Sequence, residues 1–186
     1  VLAPVFAVLA VWIKLDSKGP VLFRQTRVTA FDKDFTIYKF RTMVDLAEQK
    51  GSRVTVAGDS RITDAGKKLR GLRLDELPQL INVLKGDMSF VGTRPEVRKY
   101  VDAYTPAMMA TLLMPAGITS DASIRYKDED RLLSGAEDVD YVYTHKVLPG
   151  KMKYNLRSLR RFSLINDIYT IVDTVVSVFG DCDDPE

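Results

Sequence analysis

The stretch GLRLDELPQLINVLKGDMSFVGTRPE, residues 71–96, sets two acidic side chains, Asp75 and Glu76, side by side. It also predicts a helix directly after them. Asp75 suits the N-cap, Pro78 suits the first turn because its missing N–H does no harm there, and Gly86 suits the C-terminal end. Apolar residues recur at helical spacing and predict one packed face. That face comprises Leu77, Leu80, Ile81 and Leu84.

The acidic pair has both a structural and a chemical explanation. Acidic side chains suit a first helical turn, because they accept hydrogen bonds from unpaired N–H groups and complement the helix dipole. The same region can instead bind phosphate, and the planar fork of arginine donates two parallel bonds to a phosphate. With Mg²⁺ and a diphosphate, a carboxylate here would attack phosphorus or accept a proton, and the spacing alone leaves both explanations open. The basic residues expected to converge on the pair are Arg70, Lys39, Arg41 and Arg94.

The composition indicates one globular domain and excludes several classes of site. The chain has 186 residues, of which 46% are hydrophobic and 28% charged, enough to bury a core. A net charge of +2 is low for a nucleic-acid-binding protein of this size, so no nucleic-acid partner is expected. The lone Cys182 rules out an internal disulfide, and with the lone His145 it leaves no zinc cluster. A bound metal would be held by carboxylate and phosphate oxygens, which favours magnesium.

The N-terminal stretch VLAPVFAVLAVWIKL, residues 1–15, is apolar up to Lys14. It is shorter than the roughly 20 apolar residues that a membrane-spanning helix needs, and its length is typical of core helices or re-entrant segments. Trp12 and Lys14 would anchor a shallow insertion at the membrane interface. A buried helix of a soluble protein fits the composition equally well, so the residues alone leave both interpretations open.

The pattern that follows predicts an α/β fold with a small mixed or antiparallel sheet. Residues 21–28 and 35–43 alternate loosely and are rich in β-branched and aromatic side chains, so they predict two short strands. The strands are joined by a turn over residues 29–34. The polar, glycine-punctuated residues 45–63 predict a loop.

Several amphipathic helices complete the predicted fold. One is expected after Thr63 or Asp64, either of which suits the N-cap. A second lies in the Met-rich part of residues 95–119, where it either lies on a membrane surface or packs in the core. The last covers residues 163–179 and carries an apolar stripe. The stripe consists of Leu164, Ile168, Ile171, Val172, Val175 and Phe179.

Four stretches occur in this order along the chain: GPVLFRQTRV, FTIYKFRTM, LRLDELPQLINVLKGDMSFVGTRPE and PAGIT. Together they resemble the bacterial sugar transferase family, also called monotopic phosphoglycosyl transferases. The resemblance covers most of residues 1–119 and weakens after them. A shared run as long as LDELPQLINVLKGDMSFVG is not expected by chance.

The resemblance implies an enzyme that moves a phosphosugar from a UDP-sugar to a polyprenol phosphate, such as undecaprenyl phosphate, and releases UMP. The step starts the assembly of a bacterial glycoconjugate. The aspartate of the pair attacks the sugar-bearing phosphate and forms a covalent phosphosugar, a role that falls on Asp75. Glu76 would be a Mg²⁺ ligand, a general base, or both, with Asp75 as a further ligand. The residues expected to bind the substrate phosphates are Arg70, Lys39, Arg41 and Arg94.

The family also implies a re-entrant helix that enters one leaflet of the bacterial inner membrane, breaks at a Ser-Pro pair and returns to the cytoplasmic face. Here the pair is Ala3-Pro4, and proline still supplies the break. Only the second half of such a helix is expected, in residues 1–15. Residues 16–180 would form the catalytic domain and residues 181–186 an acidic tail. The expected partners are the bilayer, the two substrates and, as one arrangement, a second copy in a homodimer.

The chain departs from the family pattern at positions that are expected to set sugar and lipid specificity. The family motif Gly-Pro-Arg-Pro appears here with Thr93 in place of its first proline. The family motif Pro-Gly-Ile-Thr-Gly reads PAGITS, with Ala116 inserted and Ser120 in the last position. Some members have an acidic residue near Asn155. The charged stretch RYKDEDRLL, residues 125–133, is expected to be a solvated helix.

Two other functional classes remain as alternatives. A non-catalytic scaffold at the membrane surface would predict a broken acidic pair or lost arginines, whereas Asp75, Glu76 and Arg70 are all present. A soluble phosphohydrolase or phosphotransferase with an aspartate nucleophile and Mg²⁺ would need no polyprenol. The apolar residues 1–15 argue against the latter.

Overall fold

Two separate two-stranded sheets, with helices packed around them, organise the chain. The computed structural model describes residues 2–44, 55–56 and 58–180. Strands β1 and β2 pair in antiparallel orientation and β3 and β4 in parallel. The strands are β1 Leu22–Thr29, β2 Lys33–Phe40, β3 Met88–Val91 and β4 Ala116–Thr119. The α/β class is confirmed, but the expected single sheet is wrong, because β3 and β4 pair with each other as a sheet of their own.

The described helices are short apart from those near the two ends and one in the C-terminal third. The α-helices are α1 Ala3–Asp16, α2 Asp64–Gly71, α3 Gln79–Leu84, α4 Arg98–Val101, α5 Pro106–Met109, α6 Asp121–Arg125, α7 Glu129–Leu132, α8 Val139–Val142, α9 Leu148–Arg160 and α10 Leu164–Phe179. Tighter 3₁₀ turns cover Ala30–Asp32, Leu74–Glu76 and Ala110–Leu113, and a π-helical turn covers Tyr143–Val147. The predicted Met-rich helix is therefore several short turns, which Pro106 helps to begin.

The predicted hairpin is confirmed, with strand ends shifted by a few residues. Phe35 and Ile37 alternate on the buried face of β2 and pack against Met88 and Ala116 of the second sheet. The turn forces two non-glycine residues, Phe31 and Asp32, into left-handed backbone conformations. The predicted loop over residues 45–63 lies largely outside the described residues.

The helix after the acidic pair begins later than the sequence predicts. Leu74–Glu76 form a 3₁₀ turn and α3 begins at Gln79, so the prediction that Asp75 is its N-cap is wrong. Gly86, with φ of +80°, ends the helix as expected. The predicted apolar face is also wrong in part, since Leu84 is 89% exposed.

A buried polar residue explains the orientation of α3. Asn82 is fully buried, and its amide group bonds to the backbone of β2 on both sides. Its Oδ1 accepts from the Tyr38 N–H at 3.1 Å, and its Nδ2 donates to the Thr36 carbonyl at 2.7 Å. A buried amide that satisfies backbone groups in this way specifies one orientation. The helix therefore turns Asn82 inward and leaves Leu84 in solvent.

The termini of the described chain carry exposed apolar faces. In α1, Leu9 and Ile13 pack into the core, while Val8 is 67% and Leu15 82% exposed, so one face of the helix is buried and the other is exposed. The predicted helix α10 is confirmed, and all residues of its predicted stripe are at least 40% exposed. None of the helices within the described residues is long and apolar enough to cross a membrane. The predicted acidic tail, 181–186, lies outside the described residues.

Candidate active site

A cavity of about 560 Å³ opens between the hairpin, the turn that carries the acidic pair and the C-terminal helices. Asp75 and Glu76 both line it. Nine cationic and five acidic side chains of the described residues line the same cavity. Since cationic side chains are in excess, the cavity favours a ligand with several negative charges.

Glu76 is neutralised by two cations from different parts of the chain. Its Oε1 accepts from Lys39 Nζ at 2.8 Å and from Arg94 Nη2 at 2.6 Å. Burial alone would raise the pKa of Glu76, but the charges of Arg94 and Lys39 outweigh it and hold that pKa well below its usual range. Glu76 therefore stays ionised and joins β2 to the loop after β3.

Asp75 differs from its neighbour in having no such partners. It is only 7% exposed, and its carboxylate makes no hydrogen bond or ion pair with any residue that the structure describes. Burial raises the pKa of Asp75, and the nearby charge of Lys39 offsets this only in part. A buried carboxylate without partners, lining an open cavity, keeps its lone pairs available to a ligand.

The residues around Asp75 are positioned by close backbone packing. Arg70 lies in the last turn of α2, and its Nε donates to Thr42 Oγ1 at 2.9 Å. Helix α2 begins at the predicted cap Thr63, whose hydroxyl accepts from the Gly66 N–H. A Cβ at Gly66 would meet the Thr42 carbonyl oxygen at 2.1 Å, so only glycine lets α2 approach the end of the hairpin this closely.

The loop that carries Arg94 depends on a second close approach. Gly92 follows β3 and lies against Gly117 of β4. A Cβ added at Gly117 would meet the Gly92 nitrogen at 2.1 Å. The Gly117 N–H also donates to the Thr93 carbonyl. These contacts fix the loop after β3, which brings Arg94 to Glu76.

The structure brings three of the four predicted phosphate-binding residues to the acidic pair, but places the fourth elsewhere. The guanidinium of Arg41 lies at the C-terminus of α1, although the residue also borders the cavity. Its Nη2 donates to the carbonyls of Ile13 and Ser17 at 3.2 and 2.7 Å, and its Nη1 donates to the Lys18 carbonyl at 2.9 Å. Arg41 therefore caps α1, and a contact with substrate stays a prediction. Pro4 lies in the first turn of α1, and a membrane break there also stays a prediction.

Sequence reasoning missed a buried ionic cluster that also lines the cavity. Lys151 is 3% exposed, and its Nζ lies 2.9 Å from Glu129 and 3.5 Å from Glu96. Tyr143 donates its hydroxyl to Glu96 at 2.5 Å. The expectation that residues 125–133 form a solvated helix is wrong here, because Glu129 lines the cavity and joins this cluster. No sequence signal links residues this far apart in the chain.

Sequence reasoning also missed Arg73, which lines the cavity and lies two residues before Asp75 in the chain. Its half-buried side chain donates from Nη2 to the Ser123 carbonyl at 2.9 Å. Partial burial lowers the pKa of Arg73, and the charge of Glu76 opposes that shift. The adjacent arginine in the sequence could have suggested a role, but only the fold shows where it points.

Comparison with known proteins shows the family of this chain. A family model described as bacterial sugar transferase matches residues 1–181. The chain belongs to the bacterial sugar transferase family. The part of the chain that the family model matches includes Asp75, Glu76, Arg70, Lys39 and Arg94.

Three curated relatives align with nearly the whole chain. UDP-N-acetylgalactosamine-undecaprenyl-phosphate N-acetylgalactosaminephosphotransferase of Aeromonas hydrophila is 38% identical over 179 residues, which are 95% of this chain and 39% of that protein. UDP-glucose:undecaprenyl-phosphate glucose-1-phosphate transferase of Caulobacter vibrioides is 36% identical over 181 residues, 95% of this chain and 63% of that protein. The protein of the same name from Escherichia coli is 34% identical over 182 residues, 96% of this chain and 37% of that protein.

The chain thus spans between 37% and 63% of the length of these relatives. Their names specify different sugars at closely similar identities of 38%, 36% and 34%. Overall identity therefore does not distinguish one donor sugar from another.

Proposed function

We propose that this chain forms the catalytic part of a membrane phosphoglycosyl transferase, which moves a phosphosugar from a UDP-sugar to undecaprenyl phosphate. The observation that carries the proposal is Asp75, a buried carboxylate without an ion-pair partner among the described residues, in a cavity lined by an excess of cations. The names of the relatives, which specify UDP-sugar and undecaprenyl-phosphate substrates, support the same reaction.

In the first half of the proposed reaction, a carboxylate oxygen of Asp75 attacks the phosphorus that bears the sugar. A bond forms between that oxygen and phosphorus, and the bond from phosphorus to the oxygen bridging the two phosphates breaks. UMP leaves with the bonding electrons, and the phosphosugar remains on Asp75 as an acyl phosphate. In this proposal, Arg70 and Arg94 stabilise the negative charge on the phosphates.

In the second half, a phosphate oxygen of undecaprenyl phosphate attacks the same phosphorus. The bond between phosphorus and Asp75 breaks, which restores the carboxylate and yields undecaprenyl diphosphosugar. This acceptor is already an anion at neutral pH, so it needs no general base. Because the pKa of Glu76 lies well below its usual range, we assign Glu76 to holding Lys39 and Arg94 in place rather than to proton transfer.

Magnesium fits the acidic pair only together with a substrate. Asp75 and Glu76 offer the hard oxygen ligands that Mg²⁺ prefers. Within the part of the chain that the structure describes, no three acidic, His or Cys side chains form a metal-binding group. Asp75 and Glu76 would hold Mg²⁺ when a substrate is bound, and the metal would supply further neutralisation of the phosphates.

The proposed lipid acceptor calls for contact with a membrane. The exposed apolar residues of α1 and α10, among them Val8, Leu15, Leu164 and Phe179, support a position at the bilayer surface. We propose that this surface is the cytoplasmic face of the bacterial inner membrane, where a soluble donor and a lipid acceptor can reach the same cavity.

The test is intact mass spectrometry of the detergent-solubilised protein after incubation with a panel of UDP-sugars, including UDP-glucose and UDP-N-acetylgalactosamine, without lipid. We expect one sugar to leave a single phosphosugar on the protein with release of one UMP, and undecaprenyl phosphate then to discharge it. Asp75→Asn should form no adduct. Asp64→Asn, which changes an exposed carboxylate, is the matched control.

Each other result points to a different conclusion. An adduct on Asp75→Asn would show that another group is the nucleophile. Continuous UMP release without lipid would mean that water is the acceptor and that the protein is a phosphohydrolase. If no UDP-sugar gives UMP from membrane-inserted protein, a non-catalytic scaffold explains the fold better.

A further inference from the structure

The backbone of Arg73 adopts a conformation that side chains other than glycine rarely take. Its φ of 52° and ψ of 20° lie in the left-handed region. Residues held in such conformations persist only where the surrounding structure determines them, and they cluster at ligand-binding and catalytic sites. Arg73 directly precedes the 3₁₀ turn Leu74–Glu76, so this backbone conformation directs both its own side chain and the acidic pair.

The guanidinium of Arg73 has not been neutralised by a carboxylate of the described residues. It contacts the Ser123 carbonyl at 2.9 Å, which orients it without removing its charge. By contrast, Arg94 pairs with Glu76, and Lys151 pairs with Glu129. Arginine keeps its charge in proteins, and a half-buried cation without a counter-charge is stabilised by an anionic ligand.

The carbonyl that orients Arg73 belongs to the short helix α6, which has a side-chain cap. Ser120 caps α6 by accepting the Ser123 N–H at 3.0 Å. Ser120 and Ser123 are both buried. The cap holds the short helix α6 in place, and the Ser123 carbonyl in turn holds Arg73. The capped start of α6 is therefore physically connected to the residue that precedes the turn of the acidic pair.

Arg73 and Arg70 share the cavity wall with Asp75. The negative charges of Asp75 and Glu76 attract the guanidinium of Arg73, and the charge of Asp75 attracts that of Arg70. Both guanidiniums therefore lie within electrostatic range of the acidic pair. Neither makes an ion pair with a carboxylate among the described residues. Two forked donors that line one cavity with Asp75 match a ligand that carries two linked phosphates.

We propose that Arg73 is an additional binding residue for the diphosphate of the donor, acting beside Arg70. The inference rests on the proposed function for the identity of the donor as a nucleoside diphosphate sugar. Arg73 donates to phosphate oxygens through the part of its fork that the Ser123 carbonyl leaves unoccupied. The left-handed backbone is retained because it aims this side chain into the cavity.

The test is calorimetric titration of the intact, detergent-solubilised protein with UDP, UMP and uridine. We expect Arg73→Asn to weaken UDP binding by about tenfold or more, since tenfold corresponds to about 1.4 kcal/mol, the scale of a charged hydrogen bond. Arg73→Lys, which keeps the charge but loses the fork, should be intermediate. Uridine binding should not change. Arg160→Asn, at an exposed arginine outside the cavity, is the matched control.

A purely structural role for Arg73 predicts a different result. Under the binding proposal, the melting temperature of Arg73→Asn should equal or exceed that of the parent while UDP affinity falls, because asparagine tolerates the left-handed conformation. A lower melting temperature with unchanged UDP affinity would overturn the inference in favour of a structural role.

The same titration separates this inference from the proposed function. If the parent binds UDP and transfers a phosphosugar but Arg73→Asn binds UDP equally well, the inference is wrong and the transferase proposal stands. If UDP binding depends on Arg73 but no UDP-sugar yields a product, the diphosphate site stands and the transferase proposal is wrong. If the parent binds no UDP, both are wrong.

Discussion

Exchanging Glu76 for glutamine removes the negative charge that neutralises Lys39 and Arg94, whereas Asp75→Asn removes a charge without ion-pair partners among the described residues. The two substitutions are chemically equivalent and adjacent in the chain. We expect them to change the free energy of unfolding in opposite directions. Both should abolish or strongly reduce transfer, so stability rather than activity distinguishes the two roles.

The magnitude for Glu76→Gln follows from its burial and contacts. Glu76 is 7% exposed, and its partners lie at 2.8 and 2.6 Å. Removing one partner of a buried ion pair destabilises a protein by about 3–5 kcal/mol, because it leaves uncompensated buried charge. For a chain of this size, 1 kcal/mol shifts the melting temperature by about 2–4 °C. We therefore expect a decrease of about 6–20 °C.

For Asp75→Asn the sign reverses. Burial raises the pKa of Asp75, so at neutral pH its ionisation in the folded state opposes folding relative to the unfolded chain. The asparagine is neutral and removes that penalty together with the repulsion from Glu76. We expect the melting temperature of Asp75→Asn to equal or exceed that of the parent.

The assay is thermal unfolding of the parent and both variants, side by side at pH 7 in the same detergent. Asp64→Asn is the control, because it removes a charge from an exposed ion pair, which contributes little. A similar decrease for Glu76→Gln and Asp75→Asn would refute the division of roles, as would a larger decrease for Asp75→Asn.

Three further predictions follow from the same contacts. Formation of the covalent phosphosugar should require ionised Asp75. Because burial raises the pKa of Asp75, UMP release should decline on acidification at a higher pH than it would with an ordinary aspartate. A pH profile of UMP release that stays flat down to pH 4 would contradict this. Arg41→Met should destabilise the protein by about 1.5–3 kcal/mol, measured by thermal unfolding, because it loses charged hydrogen bonds to carbonyls at the C-terminal end of α1. A fall in UDP affinity at unchanged stability would instead show that Arg41 binds substrate. Gly117→Ala should place a Cβ 2.1 Å from the Gly92 nitrogen, lower stability by about 1–3 kcal/mol and displace Arg94. Both the melting temperature and kcat/KM should therefore fall. The control Gly71→Ala has open space around its Cβ and should not cause the same backbone clash.

Motifs that act within a few residues were predicted correctly. The hairpin strands, the Thr63 cap, the end of α3 at Gly86 and helix α10 depend on local turn and capping chemistry, which the sequence carries directly. The family followed from the motif around Asp75, and the family match confirms it. The metal, the individual site roles and the membrane break stay predictions.

The errors share one cause, which is competition between local preference and tertiary contact. Asp75 has a good N-cap side chain, yet the chain tightens into a 3₁₀ turn and places it in the cavity. Leu84 has a core-forming side chain, yet Asn82 satisfies buried backbone groups of β2 and so takes the inward position. Arg41 looked like a phosphate ligand because of its motif, but its guanidinium reaches the end of α1.

The sequence by itself determined the family, the chemical types in the site and the elements that short-range geometry controls. Only the tertiary structure decided which of two adjacent carboxylates is neutralised, because that depends on Lys39 from the hairpin and Arg94 from the loop after β3. It also decided that Arg73 faces the cavity, through a bond to the Ser123 carbonyl 50 residues away. Charge and burial at one residue are set by neighbours that are distant in the chain, and a local pattern cannot specify them.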